Sequence, residues 1–232
     1  LIYGNHRSHA HILALNYNVL KFFSEILGKR NGLSNGFGGS MHLRDINKGF
    51  AGSVPIVSGT IAIAAGSALG LKKKGRGNIA ISYFGDSAVE EGVFHETLNF
   101  ASVFELPILF VQENNAMASH LHISKRQPYP ITARFAETNK IKCEVVDGND
   151  AISIKRKTLK LIEYIRKYNK PAFLELITYR WLGHVDWRDD LDVGVNRKKI
   201  DLIKWKKKDP ILRLEKILKR KNYINNEYLV NF

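Results

Sequence analysis

Asp86 and Asn115 are the residues whose types and spacing most directly suggest chemistry. The acid follows one apolar run, residues 78–84, and the amide follows a second, residues 108–111, with a helical pattern between them. A strand–helix–strand unit of this kind crosses over with a right hand and leaves its strands parallel. The 29-residue separation is what one such unit requires. Both polar groups then fall on the carboxyl rim of the sheet, where open parallel sheets bind ligands. A carboxylate, an amide oxygen and a backbone carbonyl are hard oxygen donors. Magnesium takes an octahedron of oxygens at roughly 2.0–2.1 Å and usually shares its shell with phosphate oxygens and water. The pattern suits magnesium carrying a phosphorylated cofactor. A plainer reading stays open on these residues alone: Asp86 caps a helix and Asn115 closes a turn.

The elements that must position this pair can be read around it. The run NIAISYF ends at Gly85, which is expected to let the backbone turn sharply beside Asp86. The amides of Ser87 and Ala88 lie where a helix start could offer N–H groups to phosphate oxygens. Glu90 and Glu91 open a helical pattern in which Phe94, Leu98 and Ala101 recur at three- and four-residue steps. The two acids are expected in its first turn, complementing the helix dipole. Pro107 precedes the second strand. The same alternation returns as a strand over 141–146, a helix over 151–168 and a strand over 172–178, with Asp147 to Asp150 as the turn that starts the helix.

Several stretches, in order, carry a family resemblance. GDSAVEEGVFHETLNFASVFELPILFVQENN resembles the thiamine-diphosphate motif, a Gly-Asp-Gly with a distant closing Asn-Asn. His6-Arg7-Ser8-His9 resembles a Tyr-Arg-x-His segment, GFGGSMH at 36–42 a Gly-Gly-Ser-Met-His loop, GFAG at 49–52 a Gly-Ile-Val-Gly turn, and TYRWLGH at 178–184 a Tyr-Arg-x-x-Gly-His loop. Together they look like the alpha subunit of thiamine-diphosphate-dependent 2-oxoacid dehydrogenases, the pyruvate, acetoin and branched-chain group. The fold this implies is α/β, three-layered, with a mainly parallel sheet and helices on both faces.

The resemblance also implies roles. Asp86 and Asn115 would ligate Mg2+ through side chains and Met117 through its carbonyl. Ser87 and Ala88 would hold the diphosphate from the backbone. Arg7 would pair with the diphosphate, His6 would sit beside it, and His184 would lie over the cofactor on a loop. Gly49 and Ala51 would meet the aminopyrimidine ring through main-chain groups. The implied reaction decarboxylates a small 2-oxoacid, pyruvate-like, and passes the acyl group to a lipoyl-bearing acyltransferase. A beta subunit would supply the glutamate that activates the aminopyrimidine, within an alpha-2 beta-2 heterotetramer. Acetoin or a branched-chain 2-oxoacid is the alternative substrate, and a catalytically degenerate basic binding protein is the alternative of another class. Ser87 departs from the motif's second Gly, which matters only if that position needs an unusual backbone angle. Val185 stands where kinase-regulated members carry Ser.

The remaining sequence is consistent with one domain over 1–232, with residues 196–232 as a basic helical tail of that domain. At 232 residues and 44% hydrophobic content the chain can bury a full core. The net charge of +14 is concentrated in the tail, where residues 196–221 hold twelve Lys or Arg against three Asp or Glu. No recognition motif or interleaved aromatic platform accompanies it, so a solvated helix face is favoured over a nucleic-acid surface. The Ala- and Gly-rich segment 54–71 is broken by Ser and Thr and flanked by Lys72 to Lys74, which favours a packed helix over a membrane span. A single cysteine, Cys143, excludes an internal disulfide and fits a reducing cytoplasm. The chain opens inside a strand-like pattern, LIYGNH, and is expected to lack an N-terminal segment of the family.

Overall fold

The computed structural model describes residues 1–15, 18–185, 187 and 197–225. The first half runs β1 (Ile2–Asn5), α1 (His9–Leu15), α2 (Val19–Ile26), β2 (Phe50–Val54), α3 (Gly59–Lys74), β3 (Ala80–Gly85), α4 (Gly92–Val103) and β4 (Ile108–Asn114). A short hairpin, β5 (Met117–Ala118) and β6 (Leu121–His122), follows, then α5 (Arg134–Thr138), β7 (Lys142–Asp147), α6 (Ala151–Tyr168), β8 (Ala172–Ile177), α7 (Lys199–Lys206) and α8 (Pro210–Arg220). Six strands form one parallel sheet in the order β2-β1-β3-β4-β8-β7.

A parallel sheet covered on both faces needs apolar side chains on both, and β4 supplies them alternately. Ile108 and Phe110 pack with Ile61, Ala64, Ala65 and Ala68 of α3, with Phe94, Leu98 and Ala101 of α4 and with Ala136 of α5. Leu109 and Val111 point the other way, onto Leu161 and Ile165 of α6. The three-layer architecture expected from sequence is thus present. Small residues let α3 lie close to the sheet, and its polar residues bond back to the layers beneath. Thr60 Oγ1 donates to the Gly4 carbonyl at 2.8 Å, and Tyr3 Oη and Ser67 Oγ are 2.6 Å apart. Among the described residues no helix is long and apolar enough to cross a membrane.

Strand order reverses between β1 and β3: the chain places β2 on one side of β1 and returns to place β3 on the other. That switch point opens a crevice at the carboxyl ends of β1 and β3. Two expected boundaries move. Residue 54 ends β2, so the helix begins at Gly59. Residues 86–90 form a 3-10 helix and α4 starts only at Gly92, so Glu90 and Glu91 precede the helix and make no cap.

The Gly-rich loop before β2 is shaped by one acid. Glu25, on α2 and fully buried, accepts N–H bonds from Ser34 at 2.6 Å, Gly36 at 3.0 Å and Gly38 at 2.6 Å. A Cβ on Gly38 would sit 2.2 Å from the His42 carbonyl, so the loop closes too tightly for a side chain. At the opposite edge Cys143 is half-buried in β7, and burial, with Glu137 and Glu175 nearby, pushes its thiol up to about 12. The described part of the tail docks on the start of α6. Asn149 Nδ2 donates to the Lys208 carbonyl at 2.9 Å, and Arg213 meets Asp147 at 2.8 Å.

Burial raises the Glu25 pKa, but the N–H bonds from Ser34, Gly36, Gly38 and Gly39 outweigh it and leave the carboxyl below its usual range. Its stabilisation is therefore complete above the ordinary glutamate pKa and lost as pH falls through the lower folded value. Glu25→Ala is expected to cost about 3 kcal/mol at pH 7, from several buried donors left unmet. The difference from wild type should shrink below about pH 4, as read by denaturant titration across pH.

Candidate functional site

Four strand ends build the site. After β1, Asn5 Oδ1 accepts from the Arg7 amide at 2.7 Å and the Asn5 amide donates to Ser8 Oγ at 2.8 Å, turning His6 and Arg7 over the crevice. After β3, Gly85 leads into the 3-10 helix that opens with Asp86. Gly85 has φ −85° and ψ 173°, ordinary extended backbone, and a Cβ there would touch nothing within 4 Å. The sharp turn expected of it is not made. Ser58 Oγ donates to the Ala88 carbonyl at 2.7 Å and ties this helix to α3.

After β4 the chain makes two side-chain-closed turns in succession. Asn114 Oδ1 accepts from the Ala116 amide and Asn115 Oδ1 from the Met117 amide, each at 3.0 Å. Ala116 carries a φ of +62°, a left-handed angle that costs a residue with a Cβ about 1 kcal/mol. Asn114 is fixed from below by Glu175 of β8, which is fully buried. Asn114 Nδ2 donates to Glu175 Oε1 at 2.6 Å, and the amides of Thr132 and Ala133 donate to Oε2 at 3.0 and 2.7 Å. After β8, Arg180 and His184 swing back toward β1, and Arg7 Nη2 donates to the His184 carbonyl.

These turns enclose a cavity of about 240 Å³ lined by His6, Arg7, Asp86, Ser87, Ala88, Asn115, Met117 and His184, together with Asn5, Gly85, Ser119 and Arg180 among others. A neighbouring cavity of about 760 Å³ shares Asn115 and Met117 and is walled by Tyr179 and Trp205, stacked at 5.7 Å. The strand-end residues converge on the smaller one.

Comparison with known proteins decides the family. The dehydrogenase E1 component family matches residues 1–232. The chain belongs to that family. It is 37% identical over 185 residues to the alpha subunit of acetoin:2,6-dichlorophenolindophenol oxidoreductase of Bacillus subtilis, covering 80% of this chain and 56% of that protein. It is 32% identical over 225 residues to the pyruvate dehydrogenase E1 component subunit alpha of Rickettsia typhi, covering 97% of this chain and 68% of that protein. The Cupriavidus necator acetoin:2,6-dichlorophenolindophenol oxidoreductase alpha subunit is 34% identical over 185 residues, 80% of this chain and 56% of its own. The E1 chain thus spans between about half and two thirds of the length of these relatives.

Eight of the ten residues that sequence singled out in this E1 chain line one cavity. Gly49 and Ala51 do not. Gly49, with φ +86°, has its N–H bonded to the Ile46 carbonyl at 3.0 Å and its C=O accepting from the Ile2 amide at 2.8 Å, while Ala51 lies in β2. Ser87 stands in the 3-10 helix, in right-handed backbone that accommodates a side chain, so its departure from Gly carries no strain. Arg180 was missed although it lies inside a quoted stretch, TYRWLGH; a second arginine four residues before a family histidine was the available signal. Ser119 and Arg126 had none.

A diphosphate fits what these residues offer. Arg7, Arg180 and His184 line the cavity, and Asp86 is the one carboxylate among its described lining residues. His6 Nδ1 is buried without a protein partner. Among the described residues no cluster of three or more His, Cys, Asp or Glu could hold a metal ion. A cation at Asp86 would therefore need oxygens brought by an anionic ligand, as magnesium on a diphosphate has.

His184 reports that charge. Burial, then Arg7, Arg180, His120 and His6, push it down to about 4. Arg180 Nη1 lies 3.2 Å from His184 Nδ1, and a guanidinium only donates, so Nδ1 accepts and the neutral ring carries its proton on Nε2, 3.1 Å from Ser119 Oγ. An anion placed among these cations offsets the part of the shift that their repulsion adds to burial. Adding inorganic diphosphate is expected to raise the His184 midpoint from about 4 toward the ordinary imidazole value. Histidine NMR titration, with His184→Gln for assignment, would show it; an unmoved midpoint would place the anion elsewhere.

Proposed function

We propose that this chain is the alpha subunit of a thiamine-diphosphate-dependent 2-oxoacid dehydrogenase that decarboxylates a pyruvate-like acid and transfers the acyl group to a lipoyl acceptor. One observation carries the reading: the side chains of Asp86, Asn115, Arg7 and His184, from four separate strand ends, converge on one cavity. In this reading Asp86 and Asn115, with the Met117 carbonyl, hold Mg2+. The amides of Ser87 and Ala88 and the cations Arg7 and Arg180 bind the diphosphate, with His6 beside them. Arg180 is added to the expected set. Fixed cations around the diphosphate act without reorganising, because the turns that hold them are already bonded in place.

Thiamine diphosphate, when bound, supplies the electron sink for decarboxylation. The chain's own residues orient it, exclude water from its diphosphate end and keep a proton on His184 Nε2, available to an anion once Ser119 is displaced. In this reading, as the family resemblance implies, the acid that activates the aminopyrimidine comes from a beta subunit. The proposed assembly is an alpha-2 beta-2 heterotetramer serving a lipoyl-bearing acyltransferase, with residues 1–232 as one domain, 196–232 as its basic tail, and a reducing cytoplasm as its compartment. Acetoin is the second substrate reading, favoured by the named activity of the Bacillus subtilis relative.

Native mass spectrometry of the complete protein co-expressed with its neighbouring gene product tests this. A heterotetramer taking up two cofactors only with magnesium is the expected result. Asp86→Ala should abolish uptake while the assembly persists. Turnover with pyruvate, acetoin or branched-chain 2-oxoacids then names the substrate. An assembled complex without cofactor uptake would instead make the chain a degenerate binding protein.

A further inference from the structure

Asp86 is gripped by a residue that no motif points to. Arg126 Nη2 donates to Asp86 Oδ2 at 2.5 Å, with the two side chains only 6% and 2% exposed. Its Nη1 donates to Glu90 Oε1, and its Nε donates to the Leu121 carbonyl at 3.2 Å. Gln127 Nε2 adds a second donor to the same Glu90 oxygen at 3.2 Å. All three guanidinium nitrogens are therefore engaged, and the carboxylates of residues 86 and 90 are held by one planar fork.

The backbone around Arg126 matters as much. Its amide donates to the Ile123 carbonyl at 2.9 Å, and the Ile123 amide donates to the Ala116 carbonyl at 2.8 Å. Met117 pairs with His122 in the β5–β6 hairpin. The segment that carries Arg126 is thus bonded to the turn that carries Met117. Through its side chain it is bonded to the residue that opens the 3-10 helix after β3. One residue couples the two segments expected to ligate the cation.

Two roles are compatible with an arginine on a metal-binding carboxylate, and they predict opposite effects. As a stand-in cation, Arg126 would occupy the cavity and have to leave it before a metal could enter. As a support, it would hold the carboxylate from outside. Asp86 lines the cavity and Arg126 does not. Its bond uses Oδ2, and no described side chain bonds Oδ1.

Resting on the magnesium reading above, we propose that Arg126 is a positioning residue for the cation. It fixes Asp86 through one oxygen from behind and leaves the other for the metal. Its positive charge opposes a nearby cation, so the support must outweigh that repulsion. Removing the arginine therefore has a decisive sign: affinity for the cation falls if Arg126 positions and rises if it competes.

The probe is Mn2+, followed by electron paramagnetic resonance in the complete heterotetramer with thiamine diphosphate. The proteins are wild type, Arg126→Gln and Arg126→Lys. Loss of an outer support of a metal ligand typically weakens binding about 10- to 100-fold. Arg126→Gln is expected to fall in that range and Arg126→Lys to recover part of it. The KM for metal should rise, with kcat at saturating metal nearly unchanged. Should Arg126→Gln fail to fold, Glu90→Gln removes the more exposed arm of the clamp and is expected to weaken Mn2+ in the same direction, by less. Unchanged or tighter Mn2+ binding in these variants overturns the assignment of Arg126. Wild type that takes up no Mn2+ overturns the magnesium reading with it.

Discussion

Every strand of the main sheet runs in one direction, so the chain must cross a face of the sheet before it can add the next strand. Each crossing brings a helix, and the helices bury both faces. The polar ends of the strands are left on two rims, and one rim collects all the carboxyl ends. His6, Asp86, Asn115 and Arg180 lie far apart in sequence yet meet because each stands within three residues of where its strand leaves the sheet. The reversal of strand order beside β1 opens the gap that makes them a pocket and not a ridge.

Turns at such a rim cannot rely on sheet bonds, and here they rely on buried acids. Glu25 gathers the amides of the Gly-rich loop, and Glu175 gathers Thr132 and Ala133 while holding Asn114. Neither acid meets a described cation; each is neutralised by N–H dipoles. Asp86 differs in having a guanidinium on one oxygen. The distinction separates acids that shape the backbone from the one proposed to receive a ligand. The left-handed Ala116 between the two asparagine turns is strain that this bonding sustains.

Much of this was legible in residues alone, and the reason varies by element. The β3–α4–β4 unit was readable because a buried parallel strand is a short continuous apolar run, and α4 shows helical spacing between two such runs. Helix α6 was located over Ala151–Tyr168 because the turn Asp147 to Asp150 marks its start between two strand-like runs, and in the fold Asp150 caps it. The start of α4 was misplaced by two residues because Glu90 satisfies Arg126 instead of a helix dipole. Arg126 itself sits in a segment with no periodicity, 40 residues from its partner, and only the folded chain brings them together. Glu175 was hidden for a different reason: within the run AFLELI its neighbours are apolar, and nothing in sequence separates a buried template from a solvent-facing acid.

The thiol of Cys143 gives the molecule a use that its chemistry does not advertise. It is the chain's single cysteine, it lies on the edge strand paired with Phe173, and its thiol is pushed up to about 12. Burial therefore keeps the thiolate, the form that alkylating reagents attack, scarce in the folded protein. The folded protein is expected to react slowly with them, and faster once β7 peels from β8. A pulse of reagent would time the opening of that edge of the sheet without any engineered probe, and a cysteine placed anywhere else on the native surface would be labelled alone.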